Sequence, residues 1–396
     1  MNAEFTLMEA GSKGTSHASA LGARVIGVHD RGAEGPTVIV TAGMHGNEQA
    51  GVIAARKVLE QLEARPHPFH GRLVCLAGNL KALECGERFL KRDLNRIWHK
   101  EDIAELLSQP LEHDGPEQVE QRELLAVIDH ELALARGRIV HVDLHSTSAS
   151  SAPFCIFADT LQNRELGAFF PIPQLLGLEE RITGPLISLM ADRGNTAIVV
   201  EGGRHADPRT EYHLRAAIWI SLVASGLLTR EDAPEAQAGF EALGAACHGL
   251  PGVVEIRHCQ PILVGDGFAM EEGFDNFQWV GSGDVVAHDS SGPIATPEEG
   301  YMLLPLYQGQ GEDGFFLGRE ASRSWLQLSV WMRVSGVEEL LSGLPGLERT
   351  APDTLRAPGS SVGPFVRRIL RLFGYRRERW TSAGLEFRRR PENPAD

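Results

Sequence analysis

Between about residues 36 and 226 the chain alternates short apolar runs with longer stretches of helical periodicity. This alternation restricts the available folds more than any other feature. Thr37–Thr41 (TVIVT) is a compact apolar run between Pro36 and Gly43, and it reads as a buried strand. Ala50, Ile53, Ala54, Val58 and Leu62 then recur at the spacing of one helix face. Arg72–Ala77 reads as a second strand, and Glu117–Arg136, free of Gly and Pro, as a helix. Arg138–Leu144, Pro153–Ala158 and Thr196–Val200 read as further strands, and Arg209–Leu228 as a long helix. Strands alternating with helices imply an α/β fold, a mostly parallel mixed sheet flanked by helices.

The pattern changes near Gly249. From there to about Arg319 short β-type runs are broken by Gly, Pro and Asp, among them Gly252–Ile256, Ile262–Val264 and Tyr301–Leu306. The expected organisation is an α/β domain over 1–245, a smaller all-β domain over 246–325, and an extension over 326–396. Leu326–Leu341 reads as a helix and 344–364, with its Pro, Gly and Ser, as a linker. Val366–Arg390 is an arginine-rich tail. It suits either an anionic partner or surface, or packing against this acidic chain; the second is the plainer reading. No internal repeat is evident.

The formal net charge of −15 argues against a general nucleic-acid binder, which needs a broad basic face. Five scattered cysteines with no CxxC pair give no thiolate metal site and no disulfide framework. No stretch approaches 18 consecutive apolar residues, and the N-terminal residues lack the pattern of a secretory signal. A cytoplasmic protein without membrane insertion is expected, with homo-oligomerisation left open.

Gly43-Met44-His45-Gly46-Asn47-Glu48 follows the first strand directly. If a helix starts there, His45 and Glu48 share one face and reach one ion. The carboxyl ends of strands in such sheets are where ligands bind. Strand 138–144 ends in Val142-Asp143-Leu144-His145, which places His145 like His45. Two His and one Glu form a recurrent catalytic zinc set with a fourth position open for water. Asp143, two residues before His145 on the same strand face, suits a carboxylate that orients an imidazole. His67 and His70 lie in a Pro-containing loop and read as surface residues. Glu201, at the end of the apolar run Thr196–Val200, is the candidate proton shuttle, because a charge there is costly to desolvate without a task. Arg88–Arg96 is dense in cations that suit binding of a carboxylate.

His45 to Glu48 (HGNE), Asp93 to Arg96 (DLNR), Val142 to Ser146 (VDLHS) and Val200 to Gly203 (VEGG) together resemble the succinylglutamate desuccinylase/aspartoacylase family, a branch of the zinc carboxypeptidase-like fold. Leu306–Phe316 looks like the end of that family's β domain. The resemblance covers about residues 36–319. It implies one zinc ion per chain held by His45, Glu48 and His145, with Glu201 as general acid/base and Arg88 polarising the scissile carbonyl. It implies Asn95 and Arg96 as holders of the substrate's α-carboxylate, His205 as a pocket residue, and a β domain capping the site. Arg193 is the nearest candidate for a second anion-holding arginine and Tyr307 for a pocket residue of the β domain. The implied activity is zinc-dependent hydrolysis of a small N-acyl amino acid of N-acetyl or N-succinyl type. The rivals are a peptide carboxypeptidase and a non-catalytic metal-binding protein.

Overall fold

The computed structural model describes residues 23–64, 66–263, 265–337, 341, 346–358 and 362–392. The N-terminal stretch read for a signal, Val264 and parts of the expected linker lie outside the described residues. An eleven-stranded sheet organises the rest. Its first eight strands in chain order are β1 (Val25–Asp30), β2 (Thr37–Ala42), β3 (Arg72–Ala77), β4 (Ile139–Thr147), β5 (Phe154–Phe157), β6 (Gln174–Leu176), β7 (Thr196–Arg204) and β8 (Val253–Pro261). They lie in the order β1-β3-β2-β4-β7-β5-β6-β8, and the sheet continues through Asp313–Glu320, Gly300–Leu303 and Trp279–Val280.

β2 pairs in parallel with β3 and β4, and β4 with β7. Every residue of β2 is buried, which is why it reads as an unbroken apolar run rather than an alternation. Helices Ala50–Glu63 and Pro208–Ser225 pack on each other and on the sheet, and Pro234–Ala246 packs on the second of them. β5 runs antiparallel to β7 and then parallel to β6, so the sheet is mixed.

The β-rich segment after Gly249 is not a detached unit. β8 pairs in parallel with β6 and antiparallel with Asp313–Glu320, so its strands extend the main sheet. A small sheet of Ala269–Met270, Val285–Asp289 and Gly292–Ala295 is added, with Val286, Met302, Phe315 and Leu317 in a satellite core. Ile262 and Leu263 lie outside any strand.

The C-terminal stretch is folded rather than extended. Helix Arg323–Val334 precedes the hairpin Glu348–Ala351/Thr354–Ala357, which occupies the expected linker; Pro352 and Asp353 form its turn. Helix Pro364–Leu372 and strands Arg377–Thr381 and Gly384–Arg388 complete a four-stranded sheet over Leu355, Leu370, Tyr375 and Phe387. Arginines of this module reach acids of the main body. Arg376 meets Glu180 at 2.7 Å and Asp159 at 3.3 Å, Arg333 meets Asp159 at 3.0 Å, and Arg390 meets Asp192 at 2.8 Å. Burial alone would raise the Asp159 carboxyl, but Arg333, Arg164 and Arg376 outweigh it and hold it well below the carboxylate range.

Candidate metal centre

The carboxyl ends of β2, β4 and β7 converge on one cavity. After β2, residues 43–49 make a tight turn, and the helix starts only at Ala50. His45 and Glu48 therefore sit on a turn, not on the first turn of a helix as the sequence suggests. The Glu48 N–H donates to the His45 carbonyl at 3.1 Å and closes that turn. Gly43 has φ +70°, and a Cβ on Gly46 would lie 2.0 Å from the Ala82 carbonyl, so both positions need glycine.

His45 Nδ1 lies 2.7 Å from Glu48 Oε1, and His145 Nδ1 lies 3.0 Å from Glu48 Oε2. One donor atom from each of His45, Glu48 and His145 falls within 4.8 Å of the others, and all three residues are buried. The far ring nitrogens also meet carboxylates: His45 Nε2 lies 3.1 Å from Asp93 and His145 Nε2 lies 3.0 Å from Asp143. Each carboxylate fixes its imidazole with Nδ1 turned toward Glu48, the arrangement that orients metal-binding histidines. Thr41, the register partner of Asp143 on β2, donates to Asp143 at 2.5 Å. Arg88 donates to Asp93 at 3.0 Å and lies 3.5 Å from Glu48.

The electrostatics suit a cation. Burial would raise Glu48, but His45 and His145 hold it well below the usual range. Burial would lower His145, but Asp143 and Glu48 outweigh it and hold the ring well above the ordinary value. Two imidazoles and a carboxylate drawn to one point are a donor set for a divalent metal ion.

Glu201 is the register partner of His145 on the adjacent strand. Burial pushes its carboxyl up to about 8, against the opposing pull of His145. Its Oε2 is buried and has no hydrogen-bond partner. Glu201, Arg88, Asn95 and Arg96 all line the cavity. Glu117 accepts the N–H groups of Leu90, Lys91 and Arg92, which fixes the basic loop, while Lys91 and Arg92 point outward and are exposed. Asn95 Oδ1 accepts the Leu186 N–H at 2.9 Å, and Arg96 donates to Asp313 at 3.2 Å.

Three sequence-derived candidates are not among the cavity-lining residues. His205 borders them: its Nδ1 lies 2.7 Å from the hydroxyl of the lining residue Ser146. The Tyr307 hydroxyl donates to the Glu271 carbonyl and accepts from the Phe274 N–H, so it clasps a neighbouring loop; Gln308 lines the cavity instead. The Arg193 expectation is corrected: Arg193 precedes β7, at the strand end opposite Glu201, and donates to Asp129 at 2.6 Å. Sequence reasoning missed Asp93 as the partner of His45, and the lining residues Leu178, Glu179, Glu312 and Asp313. Leu178, Glu179 and Glu312 come from loops without periodicity and Asp313 opens the strand Asp313–Glu320; the DLNR motif contained Asp93 but gave it no role.

Residues 34–184 match the model of the succinylglutamate desuccinylase/aspartoacylase catalytic domain. Succinylglutamate desuccinylases of Burkholderia cenocepacia and Shewanella baltica are 30% and 32% identical over 115 and 120 residues, 29% and 30% of this chain. The matched stretch spans 32% and 33% of those proteins, about a third of their length. The fold is similar to a succinylglutamate desuccinylase/aspartoacylase from Rhodobacter sphaeroides (TM-score 0.52, 20% identity, 73% of this chain and 87% of that one). It is also similar to a product-bound ectoine utilization protein from Ruegeria pomeroyi (TM-score 0.51, 19% identity, 74% and 87%). Residues 34–184 thus match the catalytic domain of the succinylglutamate desuccinylase/aspartoacylase family, and the fold around them is similar to that of solved structures bearing that name.

Proposed function

We propose that this protein is a zinc-dependent amidohydrolase that cleaves a small N-acyl amino acid into a carboxylic acid and a free amino acid. One observation carries the reading: the His45–Glu48–His145 donor set lies beside Glu201, a buried acid with an unpartnered oxygen. His45, Glu48 and His145 would hold one zinc ion per chain and leave a coordination position open. When bound, zinc supplies the positive charge that acidifies a water molecule and stabilises an oxyanion.

The residues of the chain do the rest. Glu201 accepts the proton of the attacking water at its free oxygen and returns it to the departing amine nitrogen. Arg88, fixed by Asp93, donates to the carbonyl oxygen as negative charge develops there. Asn95 and Arg96 hold the α-carboxylate and bring the acyl carbonyl to the water. Arg96 exchanges part of its pairing with Asp313 for that carboxylate. Leu304, Pro305, Leu306 and Gln308 crowd the cavity from the β-rich segment, which favours a small amide over a long peptide. The five cysteines, all free, suit a reducing compartment such as the cytoplasm. Among the described residues no helix is long and apolar enough to cross a membrane.

The test is release of free amine from a panel of N-acetyl and N-succinyl amino acids. Release from one or more members supports the reading. Zinc bound at one per chain with no release, but cleavage of peptides from the carboxyl end, supports the carboxypeptidase alternative.

A further inference from the structure

Beside the metal-type residues the cavity has an apolar side. On β7, Val199 precedes Glu201 by two residues and so faces the same side of the sheet. Its register partners are Asp143 on β4 and Ile156 on β5, and both share that face. Across the floor from β4 through β7 to β5, the cavity lining thus passes from His145 and Glu201 to Val199 and Ile156. Leu178, Ile182 and Ile187, in and just after the connection from β6 to helix Leu186–Asp192, add to this side, as does Phe316 of strand Asp313–Glu320. The same connection is latched to the stretch that carries Asn95 and Arg96. The Trp98 N–H donates to the Gly184 carbonyl at 2.9 Å, and the Leu186 N–H donates to Asn95 Oδ1 at 2.9 Å.

This side has no charge to offer a ligand. The arginines in the lining are Arg88 and Arg96, and each lies between two carboxylates. Arg88 meets Asp93 at 3.0 Å and Glu48 at 3.5 Å, and Arg96 meets Asp313 at 3.2 Å and Glu312 at 4.0 Å. Arg193, expected to grip a second substrate carboxylate, lies elsewhere on Asp129. The Glu179 side chain has 0% exposure and pairs with Arg390 at 2.5 Å, so it presents no charge to the cavity. Polar lining groups are engaged within the protein: Ser146 with His205, Ser148 with the Pro305 carbonyl, and Gln308 with Asn47. A carboxylate set against Val199, Ile156 and Ile182 would lose its water and gain no partner, whereas an aliphatic group would leave water at no such cost.

We propose that Ile156, Val199, Ile182 and Ile187 form the pocket for the substrate's side chain, so that the substrates are N-acyl amino acids with an uncharged aliphatic side chain and not acidic ones. This rests on the deacylase reading above. In that reading the acyl carbonyl belongs to the metal side, the amine to Glu201 and the α-carboxylate to Asn95 and Arg96. The remaining substituent on the α-carbon has the apolar side next to it, because that wall is bonded to Asn95 itself. Ile182 is half-buried on a loop and outside any strand or helix, so it is the member of the pocket that tolerates exchange.

The experiment measures kcat/KM of the full-length protein for N-acetyl-L-leucine, N-acetyl-L-asparagine, N-acetyl-L-aspartate, Nα-acetyl-L-lysine and N-succinyl-L-glutamate. The side chains of leucine, asparagine and aspartate branch at the same carbon, so their ranking reads polarity and charge rather than size. N-acetyl-L-leucine is expected to exceed N-acetyl-L-aspartate by about 100-fold or more, with asparagine between them. Ile182→Arg places a cation in the wall and should shift the aspartate-to-leucine ratio of kcat/KM about ten-fold or more toward aspartate. Equal turnover of leucine and aspartate, preference for any charged member, or an unchanged ratio in Ile182→Arg overturns the inference and leaves the deacylase reading standing. No release from any member overturns both. The wild-type ranking alone decides the substrate class should the variant fail to fold.

Discussion

His145 and Glu201 face each other as register partners at the carboxyl ends of adjacent parallel strands, β4 and β7. In parallel pairing, partnered side chains point to the same side of the sheet. The backbone ladder thus sets a metal-type imidazole beside a buried acid without help from any flexible loop. Glu201→Gln keeps the shape of the acid and removes its basicity. It should lower kcat by about 10²–10⁴-fold. Metal content, measured by elemental analysis of the purified protein, should stay at the wild-type value.

The same acid makes the metal-free protein pH-sensitive. Its folded pKa, about 8, lies above the ordinary 4.5, so the folded state holds a proton that the unfolded state gives up. For a carboxyl raised in this way, stability is lost as pH climbs from about 4.5 to 8. After chelation, Glu201→Gln should melt at a higher temperature than wild type at pH 8. The difference should shrink toward zero as pH falls to 4.5. Thermal melts across that range measure it.

Asp93 touches His45 through the ring nitrogen that faces away from Glu48. Its removal frees the ring to turn and releases Arg88 toward Glu48, to which it already lies within 3.5 Å. Asp93→Ala should weaken metal binding by about 10–100-fold, read by competition with a chromogenic chelator. An equal affinity in the variant would mean that Asp93 does not orient the ligand.

Asp159 is the hub between the main body and the C-terminal module, with Arg164, Arg333 and Arg376 on one carboxylate. Asp159→Ala removes the carboxylate shared by three guanidinium groups, leaving Arg333 only Glu392 and Arg376 only Glu180 and Glu255, and should destabilise the protein by about 3–5 kcal/mol in denaturant titrations. Its folded pKa is depressed, so its contribution is present at neutral pH and disappears as pH falls below the ordinary carboxylate value of 3.8.

The central fold was readable because its strands are buried on both faces. Val38, Ile39 and Val40, like Val140 and Val142, form runs that only a strand of that length explains. The candidate metal donors were readable because His45 and Glu48 follow the first of those runs and His145 lies at the end of the second. What was not readable lacks period or depends on distant pairing. β1 is an edge strand whose partner β3 is dozens of residues away, and β6 is only three residues long. The C-terminal hairpin hid behind Pro352 and neighbouring Gly and Ser, since turn residues look alike whether they join strands or domains. Arg193 misled because its distance from Glu201 in sequence says nothing about which end of β7 it occupies. Glu179 was silent because its pairing with Arg390, 211 residues away, leaves no trace in local sequence.

The decisive measurement strips the full-length protein with a chelator, then adds zinc stepwise while free amine is released from an N-acyl amino acid that the untreated protein cleaves. Activity should vanish on stripping and return in proportion up to one zinc per chain, and His145→Ala should abolish the return. Turnover that persists in the stripped protein, or that returns equally in His145→Ala, would contradict the role given to His45, Glu48 and His145.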